Sequence, residues 1–189
     1  MQDIGSRLNQ ILPKIQEDNF LEQKGLGNEV GFFIFDYDPE DEMLVRSQIE
    51  ILKNRLNSPT SDRRVVEFNL YEMLLDILKE RGLLDKMQKF EQEHGSEYLL
   101  EGIRSAVSPE VYIEKIKNHP EDYEIVFLTG VGKVWPVLRS HTVLNNLHHV
   151  LDKTPVIMFF PGNYDGVELR LFGRIKDDNY YRAFSLVPR

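Results

Sequence analysis

Two aspartates end an apolar stretch near the start of the sequence, which reads FFIFDYDPEDE over residues 32–42. Carboxylates one residue apart could hold Mg²⁺, and one of them could attack a phosphoryl group. The same residues also suit the start of a helix, because Asp38 is a good N-cap residue and Pro39 fits the first helical position. The pattern favours Asp38 as a helix cap and leaves Asp36 as a candidate for chemistry.

The Asp-x-Asp spacing is similar to the first motif of haloacid-dehalogenase-like phosphatases, which use the first aspartate as nucleophile and the second as acid/base. That motif carries Thr or Val two residues after the second aspartate, where this sequence has Glu40. The acidic stretch KDDN at 176–179 lies between two predicted strands, in the wrong context for that family's magnesium ligands. We therefore predict no catalytic residues, and keep a metal-dependent phosphoesterase or nuclease using Asp36 and Asp38 as the alternative.

A glycine-rich loop follows another predicted strand, in the sequence LTGVGKVW at 128–135. When Gly132 and Lys133 are aligned with the end of a P-loop, Phe127 replaces the first glycine and Val134 replaces the magnesium-binding hydroxyl residue. Pro136 also lies where the helix with phosphate-facing amides should begin. The sequence predicts a P-loop-like segment that binds no cofactor.

Three polar residues follow three separate predicted strands: Asp36, Asn69 and Lys133. The carboxyl ends of parallel strands meet at one edge of a sheet, which is the usual ligand position in such folds. We predict that these three residues form a possible ligand edge.

Polar side chains also gather in RSHTVLNNLHHVLDK at 139–153 and in VELRLFGRI at 167–175. Adjacent histidines on a helix point about 100° apart, so His148 and His149 do not make a zinc pair, and no metal site is predicted. Arginines alternating with an aromatic residue are typical of a protein interface or a nucleic-acid contact. The predicted partner-binding residues are Arg139, His141, Asn145, His148, His149, Arg170, Phe172 and Arg174.

The elements that would position these residues alternate between strands and helices. Apolar strand patterns occur at 30–35, 63–70, 123–130 and 155–162, separated by helical patterns. This order predicts a three-layer α/β fold with a mostly parallel sheet. Helical periodicity alone fills about 70–118, which we interpret as a helical insertion in a single domain spanning 1–189. NYDG then turns into the strand VELRLFGRI, and NYYRAFSLV follows, so we predict a C-terminal antiparallel hairpin.

Composition narrows the function classes. The 189 residues include no cysteine, which excludes disulfides and thiolate metal sites. No stretch approaches the ~20 apolar residues of a membrane span, and the N-terminus lacks a signal-peptide pattern, so we expect a cytoplasmic protein without membrane contact.

The net charge of −8 opposes wholesale nucleic-acid binding. Residues 130–189 nevertheless hold eight Lys and Arg against five Asp and Glu. A module that contacts DNA through Arg139, Arg170, Arg174 and Lys176 is therefore a further hypothesis.

Three long blocks of the sequence resemble the BrxB family of BREX (bacteriophage exclusion) systems: FFIFDYDPEDE, LRSHTVLNNLHHVLDKTPVIMFFPG and LRLFGRIKDDNYYRAF. The resemblance implies a bacterial cytoplasmic protein that works beside a PglZ-type alkaline-phosphatase-fold protein, a large AAA+ ATPase, a DNA methyltransferase and other BREX subunits. It implies no catalytic residues. The hypothesis that follows is a non-enzymatic adaptor or assembly subunit that binds the PglZ-type protein, with DNA contact indirect or weak.

Overall fold

A computed structural model of the chain describes residues 2–18, 20–22, 31–120, 122–147, 150–151, 154–176 and 183–189. The central sheet has the strand order β2-β3-β4-β1-β7, with every neighbouring pair parallel. These strands are β1 (Phe32–Tyr37), β2 (Val65–Asn69), β3 (Ile125–Thr129), β4 (Val156–Tyr164) and β7 (Ala183–Ser185). The predicted mostly parallel α/β sheet is confirmed.

Helices cover both faces of this sheet. One face packs against α1 (Ile4–Gln16) and α2 (Glu42–Leu56). The other packs against α3 (Leu70–Glu80), α6 (Pro109–Lys117), α7 (Val131–Val134) and α8 (Ser140–Leu147). Residues of β1 and β3 are buried along their whole length, because each face of the sheet meets a helical layer.

The stretch predicted as a helical insertion contains α3, α4 (Met87–His94), α5 (Ser96–Ala106) and α6. Helices α3 and α6 bury apolar stripes against the sheet, including Leu74, Ile77 and Ile116. Helices α4 and α5 bury no residue fully, so they form an outer hairpin on this layer.

The predicted antiparallel hairpin is confirmed between β4 and β5 (Leu169–Leu171), and two details of the C-terminal prediction are wrong. VELRLFGRI is not one strand, because the chain turns at Phe172 and Gly173 and returns as β6 (Ile175–Lys176), antiparallel to β5. Strand β7 does not extend the hairpin. It joins the central sheet beside β1, in parallel.

Candidate functional site

Asp36 lies in a buried network of ion pairs at the end of β1. Its side chain is 3 % exposed; Oδ1 lies 3.1 Å from Nη2 of Arg7, and Oδ2 lies 2.7 Å from Nε of Arg189. The backbone N–H of Tyr164 donates a third hydrogen bond to Oδ2, at 3.3 Å. Both carboxylate oxygens are therefore occupied by partners within the chain.

Arg7 is as deeply buried as Asp36 and ties three segments together. Its guanidinium lies over the ring of Phe35, 4.7 Å from the centroid, and donates to the carbonyls of Asp36 at 2.7 Å and Val187 at 2.8 Å. Burial lowers the pKa of Arg7, while the neighbouring Asp36 acts in the opposite direction. The network joins α1, β1 and the segment after β7, so Asp36 serves the fold.

Asp38 occupies the predicted N-cap position, with Pro39 at the first position after it, but it caps a 3₁₀ turn and its side chain makes no cap hydrogen bond. Its carboxylate accepts a hydrogen bond from Nη1 of Arg189 at 2.9 Å, and no cap bond forms. The chain makes a 3₁₀ turn at Pro39–Asp41 before α2 begins at Glu42. The guanidinium of Arg189 binds both aspartates and the carbonyl of Gly162. The side chain of Asp38 is therefore directed to Arg189 and not to the backbone N–H groups of the turn.

A polar cleft of about 330 Å³ opens at the carboxyl edge of the sheet, between α2 and the ends of β2 and β3. Asn69 and Lys133, two of the three residues of the predicted ligand edge, both line it. Asp36 does not line it, because its side chain points into the arginine network. The structure therefore brings together two of the three predicted edge residues.

The polar groups in this cleft are largely paired with one another. Glu67 accepts a hydrogen bond from Thr129 at 2.6 Å and pairs with Lys53 at 2.5 Å, and Lys53 also contacts Glu50 at 2.9 Å. Burial lowers the pKa of Lys53, but the hydrogen bonds to the two glutamates outweigh it and leave that pKa raised. The sequence signal for this missed four-residue network was a glutamate in the middle of the apolar strand VVEFN.

Asn69 and the glycine loop also have structural partners. Asn69 Oδ1 accepts hydrogen bonds from the N–H groups of Tyr71 and Glu72, so Asn69 is the N-cap of α3. Gly130 approaches that oxygen so closely, with φ of +70°, that a Cβ there would lie 2.2 Å from it. The P-loop-like segment continues into the single turn of α7, which is too short to present a phosphate-binding helix end.

The predicted partner-binding residues lie on two segments. Arg139, His141 and Asn145 lie at and before α8, where Arg139 and Asn145 are exposed. Arg170, Phe172 and Arg174 lie on the β5–β6 hairpin and are exposed. His148 and His149 lie outside the described residues.

Glu168 neutralises part of the predicted basic surface. It pairs with Nε of Arg170 and with Nζ of Lys176, the latter at 2.7 Å. These pairs lower the pKa of Glu168, with Lys176 contributing most. Two of the four cations proposed for DNA contact are therefore bound to a carboxylate of the same hairpin.

Phe172 stands in a strained turn. Phe172 and Gly173 have φ of +55° and +68° in the three-residue loop 172–174 that joins β5 to β6, and the N–H of Arg174 donates to the carbonyl of Leu171 at 3.1 Å. The first position of such a turn favours Asn, Asp or Gly, and an aromatic residue there carries backbone strain. The ring packs against Gly132, where an added Cβ would lie 2.9 Å from it.

An aromatic residue that the sequence reading missed belongs to the same region. Trp135 is 39 % exposed and Phe172 is 36 % exposed. Trp135 directly follows α7 as its C-cap residue, and Phe172 packs against Gly132 within α7, so both aromatic residues adjoin this turn. Lys133 of α7 and Arg174, two residues after Phe172, are exposed. We call these four residues, Lys133, Trp135, Phe172 and Arg174, the Trp135–Phe172 patch.

Two other kinds of feature, a metal-ion cluster and a membrane-spanning helix, are absent from the described ranges. No group of three His, Cys, Asp or Glu side chains is placed to hold a metal ion in the part of the chain that the structure describes. None of the helices in those ranges combines the length and apolar character that crossing a bilayer requires.

Comparison with known proteins gives the chain its relatives. A family profile described as "BREX protein BrxB" matches residues 66–186. A protein of that name from Bacillus cereus (strain H3081.97) is 52% identical over 193 residues, covering 100% of both chains. One from Escherichia coli O9:H4 (strain HS) is 36% identical over 186 residues, covering 96% of this chain and 90% of its own length. No solved structure matches. The chain belongs to the BrxB family, components of BREX phage-defence systems.

Proposed function

We propose that this chain is a non-enzymatic adaptor subunit of a BREX complex in the bacterial cytoplasm, and that it binds the PglZ-type alkaline-phosphatase-fold subunit. The observation that carries the proposal is the Trp135–Phe172 patch. Aromatic residues and arginine are enriched where protein interfaces concentrate their binding energy. The patch offers two partly exposed aromatic rings and two exposed cations, at α7 and at the β5–β6 turn that packs against it.

The strain at Phe172 supports a role beyond folding. A left-handed backbone costs a residue other than glycine roughly 1–2 kcal/mol. Asn or Gly at this position would remove most of that cost. Phe172 bears the cost although burial of its ring is incomplete. Strain retained at an exposed aromatic side chain is typical of a functional surface.

The environment of Asp36 favours an adaptor over the alternative of a metal-dependent phosphoesterase or nuclease. A carboxylate that binds Mg²⁺ needs a free oxygen lone pair directed at the ion. Both oxygens of Asp36 accept hydrogen bonds from buried or half-buried donors, and Asp38 is bound by Arg189.

Charge favours a protein partner over DNA. Glu168 binds two of the four cations of the DNA hypothesis, and the chain as a whole carries −8. A polyanion would meet a weakened basic surface on an acidic molecule. Carboxylates on a folded partner need only the two cations of the patch, Lys133 and Arg174, neither of which Glu168 binds.

The test is size-exclusion chromatography with light scattering, on the chain alone and mixed with its PglZ-type subunit. We expect a stoichiometric complex, and we expect Trp135→Ala and Phe172→Asn to weaken it by more than about tenfold, or 1.4 kcal/mol. Asn suits the turn, so Phe172→Asn removes the ring with little loss of stability.

The matched control for these variants is Ile51→Ala, which removes an equally exposed apolar side chain from α2. It should bind as the wild type does. Absence of any complex at tens of micromolar would reject the PglZ-type partner. Full binding by both patch variants would keep the partner and reject the patch.

A further inference from the structure

Trp135 lies in a tight turn whose two ends are anchored in the core. Val134 and Leu138 flank the turn, and both are buried. The N–H groups of Val137 and Leu138 donate to the carbonyl of Val134, at 2.9 Å and 3.3 Å. The partly exposed tryptophan therefore projects from a short segment between two fixed points, after α7 ends and before α8 begins.

The carbonyl oxygen of the next residue, Pro136, accepts two hydrogen bonds from Arg104 on α5. Nη2 donates at 2.7 Å and Nε at 3.2 Å, so one guanidinium holds one oxygen with two donors. Hydrogen bonds from a charged group are stronger than those between neutral groups. The turn is thus linked to a helix that lies 32 positions earlier in the chain.

The backbone that carries Arg104 is itself held in place. Ile103 and Ala106 of α5 pack against the large core cluster, and Val107, which directly follows α5, is buried within that cluster. Helices α4 and α5 bury no side chain fully, but these contacts hold the C-terminal end of α5 on the body of the domain. Arg104 therefore reaches the turn from an anchored part of the hairpin.

Holding the Pro136 carbonyl restricts the backbone beside Trp135. The proline ring locks φ of Pro136, so ψ is the backbone rotation that this residue retains. The hydrogen bonds from Arg104 fix the direction of the carbonyl and with it that rotation. An aromatic side chain that is held in place before binding loses less entropy when a partner covers it.

We propose that Arg104 is a positioning residue for Trp135, and that it acts through the carbonyl of Pro136 to hold the indole ring in the orientation that a partner protein binds. The α4–α5 hairpin then serves as a brace for the Trp135–Phe172 patch. The effect on affinity rests on the proposed adaptor function, whereas the positioning is a property of the free chain and can be tested there.

Fluorescence tests the positioning directly, because Trp135 is the single tryptophan of the chain. Arg104→Gln removes the charged contact with two donors, which leaves the indole ring freer to rotate. We expect acrylamide to quench Trp135 more strongly and its time-resolved anisotropy to decay faster, with the melting temperature lowered by no more than about 3 °C. The control is Arg81→Gln, which removes an exposed arginine at the end of α3 and should leave both signals unchanged.

These signals separate failure of the positioning from failure of the proposed function. If quenching and anisotropy in folded Arg104→Gln equal those of the wild type, the proposal is overturned, whether or not the PglZ-type subunit binds. If both signals change while the wild-type chain forms no complex, the positioning is supported and the PglZ-type partner is rejected.

A double-variant comparison separates positioning from direct contact between Arg104 and the partner. We expect Arg104→Gln to weaken binding of the PglZ-type subunit by about fivefold in titration calorimetry, as for loss of one exposed hydrogen-bonded contact. In a Trp135→Ala background the same change should have almost no further effect, because no indole ring is left to position. An equal loss in both backgrounds would show that Arg104 contacts the partner itself, and the positioning role would then be wrong.

Discussion

Asp36 is buried between two guanidinium groups, and its removal would leave Arg7 with an uncompensated buried charge. We expect Asp36→Asn to lower the free energy of unfolding by about 3–5 kcal/mol, the usual cost of breaking one side of a buried pair. Asp38→Asn is the matched control. The Asp38 side chain is 57 % exposed, so this change should cost under about 1 kcal/mol in urea unfolding.

The same pair of variants separates structure from catalysis in cells. Loss of phage protection by Asp36→Asn should follow loss of soluble protein and should be relieved at lower growth temperature. If the variant were as stable as wild type and still failed to protect, Asp36 would have a role that its ion pairs do not explain.

At the residue scale, the sequence identified the candidate side chains but not the residues with which they pair. The spacing of Asp36 and Asp38 permitted both a metal site and a helix start. Both aspartates are bound by Arg189, which lies 153 positions from Asp36 in the chain. An ion pair between such distant residues leaves no local pattern, whereas Asn69 as a helix cap directly precedes an apolar helical stripe.

Among the elements, the junctions after β2 and β3 are coupled through one glycine. Gly130→Ala would add left-handed strain of about 1–2 kcal/mol and would also push Asn69 off the start of α3, a cap worth about 1 kcal/mol. Gly82→Ala places an alanine at a similar φ, +64°, where no atom lies within 4 Å of the added Cβ. This variant should therefore cost only the backbone strain. Equal losses for the two variants in urea unfolding would show that the cap tolerates the added methyl group.

The β5–β6 hairpin should have its own acid sensitivity. The ion pair with Lys176 lowers the pKa of Glu168 below its usual 4.5. Burial raises that pKa, but Lys176 and Arg170 together outweigh the effect of burial. A lowered pKa in the folded state stabilises the protein fully above pH 4.5, and the effect is lost as pH falls through the lowered value.

Glu168→Gln should therefore reduce the melting temperature at pH 7, and the difference from wild type should shrink steadily below pH 4.5. Glu114→Gln, an exposed change on α6, is the control for acid unfolding of the whole chain. A difference that persists unchanged at pH 3 would point to lost packing of the side chain.

Element prediction succeeded where periodicity was long and failed where a turn lacked its usual residues. The four strands of the central sheet that alternate with helices were predictable from mostly apolar runs. The Phe172–Gly173 turn was not, because turns with two residues at positive φ are recognised by Asn-Gly or Asp-Gly. The signal that was overlooked is Gly173, a glycine that follows Phe172 in the middle of an alternating strand pattern.

For the whole molecule, sequence order predicted the layers but not the order of the strands. Alternation of strands and helices favours a parallel sheet, and the structure has one. The position of β7 beside β1 could not be read from the sequence, because a short strand near the chain end fits either a hairpin or the open edge of a sheet. The surfaces that face outward, such as the α4–α5 hairpin, were recognised only once the buried residues were known.

The place of β1 in the sheet has a consequence for synthesis of the protein. Phe32 pairs with Val156 on one side and Ala183 on the other, so both neighbours of β1 are translated about 120 residues or more after it. At roughly 5–20 residues per second, this apolar strand emerges from the ribosome at least about 6–25 s before it can pair. During that interval its backbone is open to other chains, so chaperone capacity and slow, cool expression should decide the yield of folded protein.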